Sequence, residues 1–279
     1  MSKKFKIALC QTIVEDDKNY NLNKALEFIE QAAVNGAKII SLGEMFICPY
    51  RNNAFIEYAE EEASSRTLKS ISDIAKKHSV YVVAGSIPEK EENRYYNTSY
   101  VIGKDGNIIA KHRKMHLFDI DIKDGVYMKE SDTFSYGEDI TIFDTEYCKV
   151  GLAICYDMRF PEIFRIMVQK NVKLVIVPAA FNNVTGPAHW DIIIRNRAID
   201  NQIYFAAASP ARNYKETYLA YGHSSVCDPF GEIIGQLDEN EDILYSYIDL
   251  EYLESIREQL PLLKHRRLDL YDIKMKNKR

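Results

Sequence analysis

Short apolar runs alternate along the chain with stretches in which apolar residues recur every three or four positions. Lys6 to Gln11 reads as a buried strand, and Leu22, Ala25, Leu26, Ile29, Ala32 and Ala33 mark one face of a helix that Gly36 ends. Ala37 to Leu42 (AKIISL) is the next strand. A second amphipathic helix from about Ser65 to His78, with Leu68, Ile71, Ile74 and Ala75 inward, leads to a strand from Val80 to Ser86. The order is β-α-β-α-β. Tyr96 to Gly103 and Asn107 to His112 flank Lys104-Asp105-Gly106, a turn of the kind that closes a hairpin, so the sheet gains an antiparallel portion.

Near the middle the pattern restarts. Lys149 to Cys155 (KVGLAIC) is a strand, Pro161 to Lys170 a helix and Val172 to Ala179 (VKLVIVPA) another strand. AKIISLGEMF and VKLVIVPAAF resemble one another, which suggests two similar halves packed sheet to sheet with helices outside. A helix from about Trp190 to Asn201, a strand Ile203 to Ala208, a hairpin around Asp228-Pro229-Phe230-Gly231, a strand Ile243 to Asp249 and a helix Leu250 to Gln259 complete the pattern. No linker rich in Gly, Ser or Pro separates the halves. Residues 1–260 are therefore expected to form one domain, and 261–279 an extended basic tail that packs on it or on a partner subunit.

With 279 residues, 46% of them hydrophobic, the chain can bury a large core. No apolar run approaches the roughly 18 residues a membrane helix needs. Lys and Arg total 36 against 41 Asp and Glu, a net charge of −5 that argues against a general hold on nucleic acid or an anionic membrane. The start, MSKKFKIALC, lacks the pattern of a signal peptide, so the expected location is the cytoplasm. Cys10, Cys48, Cys148, Cys155 and Cys227 are scattered and never in a CxxC pair, which fits neither a disulfide framework nor a zinc finger.

The sequence holds no GxGxxG, Walker loop, GxSxG elbow or HExxH motif. His112 and His116 are four apart, but Arg113 and Lys114 lie between them and would repel a metal ion. Cys155 stands at the carboxyl end of a buried strand, before a helix that Pro161 opens; α/β sheets expose reacting groups at such ends. A turn there can offer N–H groups to an oxyanion or lower a thiol pKa, although a packed core thiol suits the same position. Glu44 in GEMFICPY has apolar and aromatic neighbours that would desolvate its carboxylate and raise its pKa, as proton transfer near neutrality requires. Lys114, in KHRKMHLFD, also follows a strand, in a mixed basic and apolar turn.

These residues carry a resemblance. The sequence is similar to the nitrilase superfamily of carbon–nitrogen hydrolases, whose Glu–Lys–Cys triad matches Glu44, Lys114 and Cys155 in order and in motif. The similarity runs from KIALCQ to HRRLDLY. CYDMRFPE, FNNVTGPAHW, RNRAIDNQIYFAAASPAR and YGHSSV resemble its Nit2-type omega-amidase branch.

The resemblance implies a four-layer α-β-β-α sandwich, with Glu130 as a further active-site carboxylate holding Lys114. It implies hydrolysis through a thioester on Cys155, without metal or organic cofactor. It also implies a homodimer, using the helix after Cys155 and the tail. The expected substrates are dicarboxylate monoamides such as 2-oxoglutaramate and 2-oxosuccinamate. Deaminated-glutathione amidase, N-carbamoyl amide hydrolase and a non-catalytic binding protein on the same fold are the alternatives. Arg159 is the candidate for the substrate carboxylate, because a fixed guanidinium can take it in a two-bond pair. Phe181 is a candidate pocket wall, and Tyr156, Asn182 and Tyr50 are further substrate contacts. His189 and Trp190 are expected to cap a helix with Asp191, and Arg195 and Arg197 to form structural ion pairs.

Overall fold

A computed structural model describes residues 3–123 and 127–276. The last three residues of the expected tail lie outside the described residues. The first sheet contains β1 (Lys4–Gln11), β2 (Ile39–Leu42), β3 (Tyr81–Val83), β4 (Ile87–Glu91), β5 (Arg94–Ile102) and β6 (Ile108–Arg113). The hairpin β7 (Asp119–Asp121) and β8 (Tyr127–Lys129) follows. The second sheet contains β9 (Thr141–Asp144), β10 (Lys149–Leu152), β11 (Val172–Pro178), β12 (Tyr204–Ala208), β13 (Ser225–Cys227) and β14 (Ile233–Gln236). β15 (Asp242–Asp249) returns to pair antiparallel with β1, giving a seven-stranded first sheet of order β15-β1-β2-β3-β5-β4 with β6 on β5. The second sheet runs β14-β13-β12-β11-β10-β9.

The helices are α1 (Lys18–Val34), α2 (Asn52–Glu57), α3 (Arg66–His78), α4 (Pro161–Gln169), α5 (Thr185–Asn201) and α6 (Leu250–Gln259). Local chemistry sets their starts. The Asp17 carboxylate accepts from the Asn19 and Tyr20 amides at α1, and the Ser65 hydroxyl from the Leu68 amide at α3.

Strand alternation divides the interior. Phe5, Ile7 and Leu9 of β1 face Leu174 and Ile176 of β11 and Tyr204, Ala206 and Ala208 of β12 in a core between the sheets. The alternate residues Ala8 and Cys10 join Ala25, Ile29, Leu68 and Ile71 of α1 and α3 on the outer face of the first sheet. Val175, Val177 and Phe205 join Phe164, Met167, Trp190 and Ile194 of α4 and α5 on the outer face of the second. The result is the α-β-β-α sandwich. β1, β2 and β3 are parallel, as are β10, β11 and β12.

Several elements differ from expectation. The strand anticipated through Ser86 breaks after Val83, because Gly85 adopts φ +47° and β4 then pairs antiparallel with β5. A Cβ on Gly85 would lie 2.1 Å from the Gly43 carbonyl oxygen, so the break lets these two backbone segments touch. α5 begins five residues earlier than the apolar pattern suggested, with the Asn182 side chain accepting from the Thr185 amide at 2.8 Å. Beyond α6, Leu263 packs partly on the second sheet's core, while Leu268, Leu270 and Tyr271 are exposed. No helix among the described residues is long and apolar enough to cross a membrane.

Candidate active site

The carboxyl ends of β2, β10 and β11 meet at one end of the sandwich. Past β2 the chain turns at Gly43, where a Cβ would approach the Pro210 nitrogen to 2.7 Å, and Glu44 is driven inward to 1% exposure. Its Oε1 accepts from Lys114 Nζ and from Asn97 Nδ2, both at 2.8 Å. Its Oε2 is buried with no hydrogen-bond partner among the described residues.

Lys114 lies one residue past β6 and keeps sheet-like backbone pairing, its amide to Asn97 oxygen at 2.9 Å and its carbonyl to the Gly137 amide at 2.8 Å. That register sends a fully buried side chain between two carboxylates, Glu44 Oε1 at 2.8 Å and Glu130 Oε2 at 2.9 Å. Glu130 also accepts from the Phe118 amide at 2.7 Å and from Tyr50 Oη at 2.8 Å. Burial works against the ammonium, but Glu130 and Glu44 outweigh it and hold the Lys114 pKa above its ordinary value. Burial raises the Glu44 pKa, with Lys114 opposing and Glu130 adding to the rise. The arrangement is therefore a fixed cation beside a carboxylate with raised proton affinity.

Cys155 opens a tight 3-10 turn, Cys155–Arg159, three residues past β10, with φ +42°. A left-handed conformation in a non-glycine residue costs of order 1–3 kcal/mol and persists only where surrounding contacts impose it. The sulfur is 3.5 Å from the Ala180 amide, just past β11. Burial first, then the Glu44 charge, push its pKa well above that of an ordinary thiol. The sequence allowed the turn to lower the thiol pKa; desolvation acts the other way. The group is a neutral thiol beside a base.

The Arg159 guanidinium lies 4.7 Å from the Phe181 ring centre and 5.7 Å from that of Tyr156. Its Nη1 is 3.2 Å from His189 Nδ1, and its Nε is buried without a partner. No acidic side chain among the described residues pairs with it. Phe181 is buried against Trp190. Tyr50 stacks on Tyr218 with ring centres 4.4 Å apart, and Tyr218 donates to the Ala180 carbonyl at 2.5 Å. Asn182 uses Oδ1 at the start of α5 and leaves Nδ2 buried and unpaired.

Sequence reasoning missed Asn97, Tyr218 and Asp157. The polar run Asn97-Thr98-Ser99 between the aromatic and apolar residues of an expected strand was the available signal for the first, and the structure buries all three. Two expectations change. Arg195 and Arg197 bind carbonyls, Arg195 that of Gly231 and Arg197 those of Met158 and Arg159, in place of ion pairs. His189 meets Arg159 instead of forming a cap with Asp191, whose carboxylate accepts from Gln236.

A carbon–nitrogen hydrolase family profile matches residues 6–258. The mouse protein named omega-amidase NIT2 is 48% identical over 272 residues, covering 98% of each chain, and the human protein of that name matches to the same extent. Among solved structures, Saccharomyces cerevisiae Nit3, described as a member of branch 10 of the nitrilase superfamily, superposes with a TM-score of 0.88. It is 42% identical, with 96% of this chain and 98% of that one covered. The Caenorhabditis elegans NitFhit protein gives 0.89 at 33% identity, over 99% of this chain and 68% of that one.

Proposed function

The chain belongs to the carbon–nitrogen hydrolase family, and on that premise we propose that it is an omega-amidase using Cys155 as nucleophile. It hydrolyses the terminal carboxamide of dicarboxylate monoamides, 2-oxoglutaramate and 2-oxosuccinamate among them, to the acid and ammonia. The observation that carries the reading is the buried Cys155 sulfur in one site with Glu44, whose Oε1 is held by Lys114 while its Oε2 has no hydrogen-bond partner among the described residues.

Glu44 takes the thiol proton as Cys155 sulfur bonds to the carboxamide carbon, and the carbonyl electron pair moves onto oxygen. Lys114 and the Tyr156 N–H receive that oxyanion. Collapse breaks the C–N bond, Glu44 returns its proton to the leaving nitrogen, and ammonia departs from a thioester. Glu44 then deprotonates a water that attacks the same carbon. The C–S bond breaks and the sulfur regains its proton. Glu130 and Tyr50 keep Lys114 charged and in place. Arg159, stacked on Phe181 and Tyr156, takes the distal carboxylate, and Asn182 Nδ2 is free to meet the substrate's polar end.

The same reading makes the protein a cytoplasmic homodimer, joined through α4, the helix after Cys155, and the tail. The exposed Leu268, Leu270 and Tyr271 support that arrangement. The experiment is ammonia release across omega-amides, nitriles and N-carbamoyl compounds. Highest kcat/KM on omega-amides that carry a carboxylate is expected; preference for a nitrile or carbamoyl compound overturns the substrate class.

A further inference from the structure

Asp157 lies two residues past Cys155, is fully buried and has no part in the chemistry described above. Its carboxylate takes four hydrogen bonds. Oδ2 accepts from the Ile154 amide at 3.0 Å and lies 3.0 Å from His112 Nε2. Oδ1 accepts from the His116 amide at 2.9 Å and lies 2.8 Å from His116 Nδ1. Burial alone would raise its pKa, but the His112 and His116 contacts and the Ile154 amide overcome that and hold it far below the usual carboxylate range.

The identity of these partners matters more than their number. Ile154 immediately precedes the left-handed Cys155, and His112 and His116 stand two residues either side of Lys114. One charged group thus ties the backbone before the sulfur to both flanks of the ammonium. His112 Nδ1 lies 3.0 Å from Thr141 Oγ1, and the His116 ring stacks on Phe160 with centres 3.7 Å apart, so both imidazoles are held from behind. The other end of the turn is anchored separately, by Arg197 on the Met158 and Arg159 carbonyls at 2.9 and 3.0 Å.

We propose that Asp157 is a positioning residue that sets the register of Cys155 against Lys114, while Arg197 sets that of Arg159. The proposal rests on Cys155 being the nucleophile. It divides one five-residue turn into an end that controls the chemical step and an end that controls binding of the substrate carboxylate.

Asp157→Asn keeps the shape but replaces one acceptor by an N–H₂ that cannot receive the donors facing it. A displacement near 1 Å costs about 10²-fold in rate. The expected result is a kcat fall of that size with KM within threefold, and slower iodoacetamide alkylation of Cys155 with an altered pH profile. Arg197→Lys is expected to raise KM while changing kcat less than threefold. In case Asp157→Asn does not fold, His116→Ala removes the Nδ1 contact to Asp157, together with the ring's stacking on Phe160, from a side chain that is only partly buried. It should lower kcat about tenfold, and His116→Asn, which places an N–H near the lost Nδ1, should restore most of it. Lowered thermal stability with unchanged kcat and alkylation profile would make Asp157 merely structural and overturn the proposal, as would identical His116→Ala and His116→Asn enzymes. Cys155→Ala, assayed alongside, separates the failures: if it retains activity the nucleophile assignment fails, whereas an inactive Cys155→Ala beside a fully active Asp157→Asn refutes positioning alone.

Discussion

Removing the Arg159 guanidinium tests whether this site reads a carboxylate. Its Nη1 edge is taken by His189 at 3.2 Å, and its Nε is buried without a partner, so the Nε/Nη2 edge is the one open to a two-bond pair. A buried donor without a partner is costly, and a ligand carboxylate relieves that cost on binding. Arg159→Ala therefore loses a charged pair worth about 1.5 to 3 kcal/mol, which is about 10- to 100-fold in kcat/KM. A neutral amide of the same length never makes that pair and should lose less than threefold. Arg159→Lys should recover only part of the loss, because an ammonium lacks the planar two-donor edge and the flat face that lies over Phe181. The assay is ammonia release from 2-oxosuccinamate and from the neutral amide by wild type and both variants. Comparing substrates within each variant cancels general damage. Equal losses on the two would refute carboxylate recognition and leave Arg159 as a support of the Cys155 turn.

Glu44→Gln should cost at least about 10²-fold in kcat, since proton transfer fails in both half-reactions; wild-type turnover would assign the base elsewhere. Lys114→Ala should lose about 10²- to 10³-fold, the scale of one preorganised oxyanion donor, measured as single-turnover acylation. Glu130→Gln removes a like charge that raises the Glu44 pKa, so the acid limb of the kcat/KM profile should move to lower pH as the rate falls; an unmoved limb with full activity contradicts its role. Glu89 is a structural case. Burial raises its pKa, but Arg113, Lys111 and Thr98 outweigh that and bring it to about 2. Its folded pKa is depressed, so its stabilisation is complete above about pH 5 and lost as pH falls towards 2, amounting to about 3 kcal/mol. Urea unfolding at pH 6 and pH 3 should show a larger acid loss for wild type than for Glu89→Gln; parallel losses would show that the ion pairs contribute nothing net.

What could be read from the chain follows from which forces act locally. The parallel strands were legible because each is a short apolar run buried on both faces, and α3 and α4 because Ser65 and Pro161 mark their starts. The likeness of AKIISLGEMF to VKLVIVPAAF corresponds to β2 and β11, whose ends bring Glu44 and the Ala180 amide to the same place. The short β7, β8 and β9 were missed, since three or four residues with alternating burial give no periodicity to detect. The break at Gly85 was hidden because its cause, the Gly43 carbonyl, is distant in sequence. For the same reason the residues could nominate Glu44 and Lys114, and the family resemblance Glu130, but neither could show that Asn97 and Tyr50 share their oxygens. The roles of His112 and His116 were equally invisible, because a buried carboxylate 41 and 45 residues away defines them.

The central claim is a covalent bond between substrate carbon and Cys155 sulfur. Mixing enzyme with 2-oxosuccinamate, quenching in acid within the first turnover and measuring peptide masses tests it directly. The expected result is an acyl increment on the peptide containing Cys155, absent from Cys155→Ala, which should also release no ammonia. An increment on the peptide of Cys48 or Cys227, or ammonia release by Cys155→Ala at the wild-type rate, would contradict it.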